Sequence, residues 1–197
     1  MSDLHPIRHT NPGVGGMIKK RAPWIEWNTR SLALASLLAA LYSGYVFYFA
    51  FASFGPLQVR LVDAFLPLSI LFGPPAIVGV TLGCFIGNFL GSPFGIVDIL
   101  GGPAANLAAA TIAWMVTRRK FRGSWLLAIA MEIVVVSVIV GTYLVALGAA
   151  PGVPAWVGWV EFLGSEVVAI GIIGYPLLKG VARATQRNPI SRSQNPS

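Results

Sequence analysis

The sequence predicts an all-α integral membrane bundle of six transmembrane helices, with both termini cytoplasmic. Three observations carry that prediction: an apolar composition, a series of apolar runs of spanning length, and basic residues confined to three places. Of 197 residues, 55% are hydrophobic and 11% charged, whereas a soluble domain is nearer a quarter charged. Mean hydropathy is +0.72, and the chain carries 22 Gly and 14 Pro. A lone cysteine, Cys84, excludes a disulfide framework, and the two histidines lie outside every apolar run, which argues against a His-ligated metal site.

Residues 1–30 are polar and hold His5, Pro6, Pro12 and the stretch Gly13-Val14-Gly15-Gly16. They read as a disordered cytoplasmic tail, and no secretory signal pattern precedes the first apolar run. Trp24, Ile25 and Trp27 lie among basic residues near its end, which suits either an interfacial anchor or a plain tail beside the membrane. The transmembrane domain is expected over 31–179. Its first span is 31–54, the fourth 96–117, the fifth 125–147 and the sixth 156–178. At 1.5 Å per residue each reaches about 33–36 Å, enough to cross the hydrocarbon core. Between the first and fourth, the run 61–90 is interrupted by Gly73-Pro74-Pro75. Two prolines remove two backbone donors, so the run divides into short spans at about 61–72 and 75–90. Residues 180–197 form a second polar tail, expected to be cytoplasmic and disordered.

Charge supports six spans. Arg8, Lys19, Lys20, Arg21 and Arg30 precede the first; Arg118, Arg119, Lys120 and Arg122 join the fourth to the fifth; Lys179, Arg183, Arg187 and Arg192 follow the sixth. With six spans all three clusters share one side, as the positive-inside rule requires. The net charge of +7 is therefore read as a topology signal, and nucleic acid is not an expected partner.

Acidic residues concentrate toward the opposite face. Asp63 opens the second span, Asp98 opens the fourth, and Glu161 and Glu166 lie in the first half of the sixth, with Arg60 three residues before Asp63. A carboxylate at mid-membrane costs roughly 2.5–3.5 kcal/mol on insertion scales, so such residues face a cavity or a partner. Together they suggest a polar pocket opening outward. Local readings stand beside that one: Arg60 pairing with Asp63, Asp98 capping the fourth helix, Glu161 merely solvated. Glu166, ten residues into its span, is expected to hold a ligand or a buried partner. Glu132 in the fifth span is expected to pair with the basic loop, and the apolar-span amides Asn88 and Asn106 to bridge helices.

Gly79, Gly83, Gly87 and Gly91 recur every four residues, giving the third span a bare face for close packing, internal or against a partner. Ala35 and Ala39, with Ser36 and Ala40, form a second small-residue strip on the first span. Trp156, Trp159 and Phe162 open the sixth span, where an aromatic belt or stacking on a planar ligand both fit; Phe94 and Tyr48 are further stacking candidates. Walker, zincin and nucleophile-elbow signatures are absent. The pattern reads as a binding subunit for uptake rather than an enzyme, with no cofactor and no metal.

Four ordered blocks carry a resemblance. Gly55-Pro-Leu-Gln58-Val-Arg60-Leu-Val-Asp63, Gly79-Val-Thr-Leu-Gly83-Cys-Phe-Ile-Gly87-Asn88, Ser92-Pro-Phe-Gly95-Ile-Val-Asp98-Ile-Leu-Gly101, and Gly164-Ser-Glu166 with Gly174-Tyr175-Pro176-Leu177 resemble the QueT-type queuosine-precursor transporter family over roughly 35–178. The family is similar to S components of energy-coupling factor transporters. The resemblance implies a six-helix substrate-binding fold, a 7-deazaguanine ligand, a transmembrane T subunit and two cytoplasmic ATPases. It also implies docking on the T subunit through Ala35/Ala39 or Ser36/Ala40. Asp63 stands where the family usually has Glu, a shorter reach, and the fifth span matches poorly. On this reading Glu166 or Asp98 accepts from the purine-like edge, Gln58 and Asn88 add hydrogen bonds beside Arg60 and Asp63, and Trp159 or Phe162 stacks. Alternatives are an S component for another planar vitamin, a small membrane enzyme using the outer carboxylates, and an assembly subunit without a ligand.

Overall fold

The computed structural model describes residues 27–54, 60–119, 121, 123–147 and 154–187. The expectations for the tail up to Glu26, for Gln58 and for residues 188–197 lie outside the described residues. Among the described residues all regular structure is helical, in the order α1 Thr29–Tyr48, α2 Ala50–Phe54, a 3-10 helix Leu61–Phe65, α3 Leu68–Phe72, α4 Pro74–Gly91, α5 Gly95–Arg118, α6 Ser124–Ala146, α7 Ala155–Glu166, a π-helical segment Val167–Gly174 and α8 Tyr175–Arg187. Among the described residues, five helical stretches are long and apolar enough to cross a membrane: Thr29–Tyr48, Pro74–Gly91, Gly95–Arg118, Ser124–Ala146 and Trp156–Thr185.

The sixth apolar segment, Leu61–Phe72, is the short one. Pro67 lacks the N–H that a continuous helix would use, so the segment divides into a tight 3-10 helix and a brief α3. At roughly 1.5–2.0 Å per residue it extends about 18–24 Å, less than the ~30 Å hydrocarbon core. Gly73 then turns the chain at φ +64° and leads into Pro74 and Pro75 at the first helical positions of α4, where missing donors cost nothing.

Helix α1 starts where Asn28 Oδ1 accepts from the Ser31 N–H at 2.9 Å, an N-cap of the preferred type. It packs along α4 through the glycine face. A Cβ at Gly79 would lie 2.8 Å from the Ala35 carbonyl oxygen, and one at Gly83 would lie 2.8 Å from that of Ala39. The backbones thus approach as only glycine permits. The stripe at Gly79, Gly83 and Gly87 is internal packing.

Burial divides the molecule as a membrane protein requires. Apolar side chains such as Phe51, Phe89, Ile96, Val138 and Ile172 point outward, while Asp63, Asp98, Glu132 and Glu166 are all buried. In lipid the outside needs no polar coat, and charges must find partners within.

The last helix corrects the sequence reading. It does not stop at residue 178 but runs on through Arg187, so part of the expected C-terminal tail is helix. Leu178 and Ala182 are buried and Val181 packs against Leu38 and Leu68, which holds the extra turns. Basic residues there also suit a helix C-terminus.

Candidate binding site

Polar side chains from six elements converge inside the bundle. Arg60 precedes the 3-10 helix and Asp63 lies within it. Tyr42 comes from α1, Asn88 from α4, Asp98 and Asn106 from α5, Tyr143 from α6, and Glu166 from the end of α7.

Asp98 is fully occupied. Arg60 Nη2 donates to its Oδ1 at 3.2 Å and its Oδ2 at 3.3 Å, and the Tyr143 hydroxyl donates to Oδ1 at 2.6 Å. The Asp98 backbone carbonyl accepts from Asn88 Nδ2 at 2.8 Å. Asp98 therefore does not cap α5, and the salt bridge of Arg60 is with Asp98, 38 positions away, rather than with Asp63. Glycine makes the room: a Cβ at Gly102 would lie 2.6 Å from Asn88 Nδ2 and 3.3 Å from Arg60 Nη1, and one at Gly101 would strike the Tyr143 ring at 2.8 Å.

Asp63 centres a second cluster. The Tyr42 hydroxyl donates to its Oδ1 at 2.5 Å, in the range of an O–H bond to a carboxylate. Asn106 Nδ2 donates to the Tyr42 oxygen at 2.9 Å. The Glu166 carboxyl lies beside that of Asp63, within direct electrostatic reach. Arg60 lies within electrostatic reach of both, so one guanidinium faces three carboxyl groups.

Several buried polar atoms around these clusters have no protein partner. They are Glu166 Oε2, Asn88 Oδ1 and Arg60 Nε, two acceptor positions and one donor. Buried polar atoms in folded proteins are overwhelmingly satisfied, which sets these three apart from the saturated groups beside them. The Arg60 guanidinium also lies over the Phe54 ring, 5.2 Å from its centroid, which gives the site an aromatic wall.

Of the residues singled out from sequence, Arg60, Asp63, Asn88, Asp98 and Glu166 belong to this one network. Phe162 is buried in the apolar core. Trp159 is half exposed, and its ring edge would be 2.9 Å from a Cβ at Gly141. Phe94 packs against the core, and Tyr48 projects outward, 82% exposed. Glu161 is partly buried, and one of its oxygens is enclosed without a partner. On α1, Ala35 is buried and Ala39 half-buried against α4, whereas Ser36 and Ala40 face outward.

Among the described residues Glu132 pairs with no basic side chain of the loop, contrary to expectation. It sits more than two turns into α6 on its buried face, about 12 Å along the helix from its start. Its Oε1 accepts from the Ser69 hydroxyl at 3.2 Å, and its Oε2 has no partner. Tyr42, Tyr143, Phe54 and Gly102 escaped the sequence reading. Tyrosine in an apolar span reads as core or belt, and the one available signal was the helical Gly101-Gly102 pair.

The family model described as QueT transporter matches residues 32–183. No curated protein matches the chain, and no solved structure does.

Proposed function

The chain belongs to the QueT transporter family, and we propose that it is a membrane-embedded substrate-binding component that captures a queuosine precursor, a 7-deazaguanine base. The observation that carries this reading is the set of unpartnered buried atoms, Glu166 Oε2, Asn88 Oδ1 and Arg60 Nε. A 7-deazaguanine presents an N1–H and an exocyclic amino group side by side, with a carbonyl oxygen next to them. Glu166 Oε2 and Asn88 Oδ1 accept from the two donors, and Arg60 Nε donates to the carbonyl. Bonds to ionised groups are roughly twice as strong as neutral ones. An aromatic wall such as Phe54 adds stacking, worth about 1–3 kcal/mol per base in single-stranded nucleic acids.

In this reading the chain works as an S component in the cell membrane with both termini cytoplasmic. A transmembrane T subunit and two ATPases supply the energy, and the outward-facing Ser36 and Ala40 on α1 supply the docking strip. Asp98, already saturated by Arg60 and Tyr143, holds the guanidinium in place rather than reading the ligand.

Isothermal titration of the purified chain with 7-cyano- and 7-aminomethyl-7-deazaguanine tests the substrate class, with guanine, thiamine and riboflavin as controls. Selective heat from a deazaguanine is the expected result. Selective heat from a vitamin, or none from any compound on folded protein, would overturn it.

A further inference from the structure

The last membrane helix carries an irregularity that the binding site depends on. Its buried residues include Phe162, Glu166, Ile170, Gly174, Leu178 and Ala182, an unbroken stride of four. In a regular α-helix a stride of four overshoots one turn by about 40°, so five strides would drift about 200° and end on the opposite side. The stride stays on one face because residues Val167–Gly174 are π-helical. Hydrogen bonds from i to i+5 take more residues per turn and absorb the drift, and such segments are frequent at functional sites.

The π segment begins at the residue after Glu166 and packs against the 3-10 helix that holds Asp63. At its far end Gly174 is seated on that same neighbour: a Cβ there would lie 3.0 Å from both the Ala64 carbonyl oxygen and Pro67 Cγ. The C-terminal half is thus pinned, with Leu178 fully buried. With that half fixed, regular α winding through 167–174 would turn Glu166 by at least one residue's step, about 100°. That rotation breaks the Asp63–Glu166 contact and carries Glu166 Oε2 away from Asp63 and Arg60.

We propose that Val167–Gly174 is a positioning element whose surplus residue sets the register of Glu166 against Asp63. The register itself is a property of the chain alone; its effect on ligand binding rests on the substrate reading above. A direct test removes the surplus residue at the outward-facing Ile172. In a Cys84→Ser background, Asp63→Cys with Glu166→Cys is treated with a short bifunctional thiol reagent, in the full chain, after deletion of Ile172 and after deletion of Ile172 and Ile173 together. Cross-linking is expected in the full chain and after the single deletion, which lets the segment wind as α with position 166 kept in place; it is expected to fall at least tenfold in the double deletion and to return there when the cysteine is moved from 166 to 165. A tenfold fall after the single deletion, or no recovery from Ser165→Cys in the double deletion, would overturn the proposal.

A second measurement needs no deletion. Nitroxides scanned over 162–182 in bilayers should show oxygen accessibility with minima every four residues; minima that follow a 3.6-residue period throughout would also overturn it. The functional arm titrates 7-cyano-7-deazaguanine into the double deletion carrying Ser165→Glu and Glu166→Ser, where binding lost on the double deletion should reappear. If the cross-links behave as expected but the unaltered protein binds no deazaguanine, the register stands and the substrate reading falls.

Discussion

Asp98 and Glu166 are both fully buried carboxyl groups in an apolar bundle, yet their surroundings are opposite. Asp98 has donors on both oxygens, from Arg60 and Tyr143. Glu166 lies beside Asp63 and keeps Oε2 unpartnered. Because breaking a buried ion pair leaves an uncompensated charge, Asp98 belongs to the architecture. A buried acceptor left open by the protein is where a ligand gains most. Burial alone does not separate the two roles; the count of partners does.

The largest expected effect breaks the saturated side. Asp98→Ala strands the Arg60 guanidinium and should cost about 3–5 kcal/mol of stability, read as a lowered unfolding midpoint in detergent. Wild-type stability for that variant would mean the ion pair is not what holds Arg60. On the open side, Glu166→Gln should leave the unfolding midpoint nearly unchanged while weakening deazaguanine binding by roughly thirty- to hundred-fold, about 2–3 kcal/mol. A control away from both is Gly79→Ala on the α1–α4 seam. Its Cβ would lie 2.8 Å from the Ala35 carbonyl oxygen, so overpacking should cost about 1–3 kcal/mol of stability with affinity intact. The smallest effect is Tyr143→Phe. Asp98 Oδ1 keeps its bond from Arg60, so denaturant titration should show a loss of about 1 kcal/mol.

The same contrast explains what the sequence disclosed. Apolar runs and basic clusters reveal the helices because lipid imposes length and polarity locally. The α1–α4 seam was visible as a four-residue glycine period, though whether it served an internal or external partner was not. The acidic residues stood out singly, since charge in an apolar span is rare, but their partners did not. Arg60 has Asp63 three positions away and still bonds Asp98, while Asp63 takes its bond from Tyr42 on α1. Tyr42 and Tyr143 were hidden because nothing in their spacing separates a hydroxyl that donates to a carboxylate from an ordinary core ring. The extension of the last helix to Arg187 was masked by its charge, which marks the end of a membrane span but not the end of a helix.

The central claim is that the open oxygen of Glu166 reads the donor-bearing edge of the ligand. Its most direct test is a two-by-two titration: the unaltered protein and Glu166→Gln, each with 7-cyano-7-deazaguanine and with the analogue lacking the exocyclic amino group. The unaltered protein should prefer the amino-bearing compound by about ten- to hundred-fold, roughly 1.4–2.7 kcal/mol, and the Gln variant should lose most of that preference. An undiminished preference in Glu166→Gln would contradict the claim.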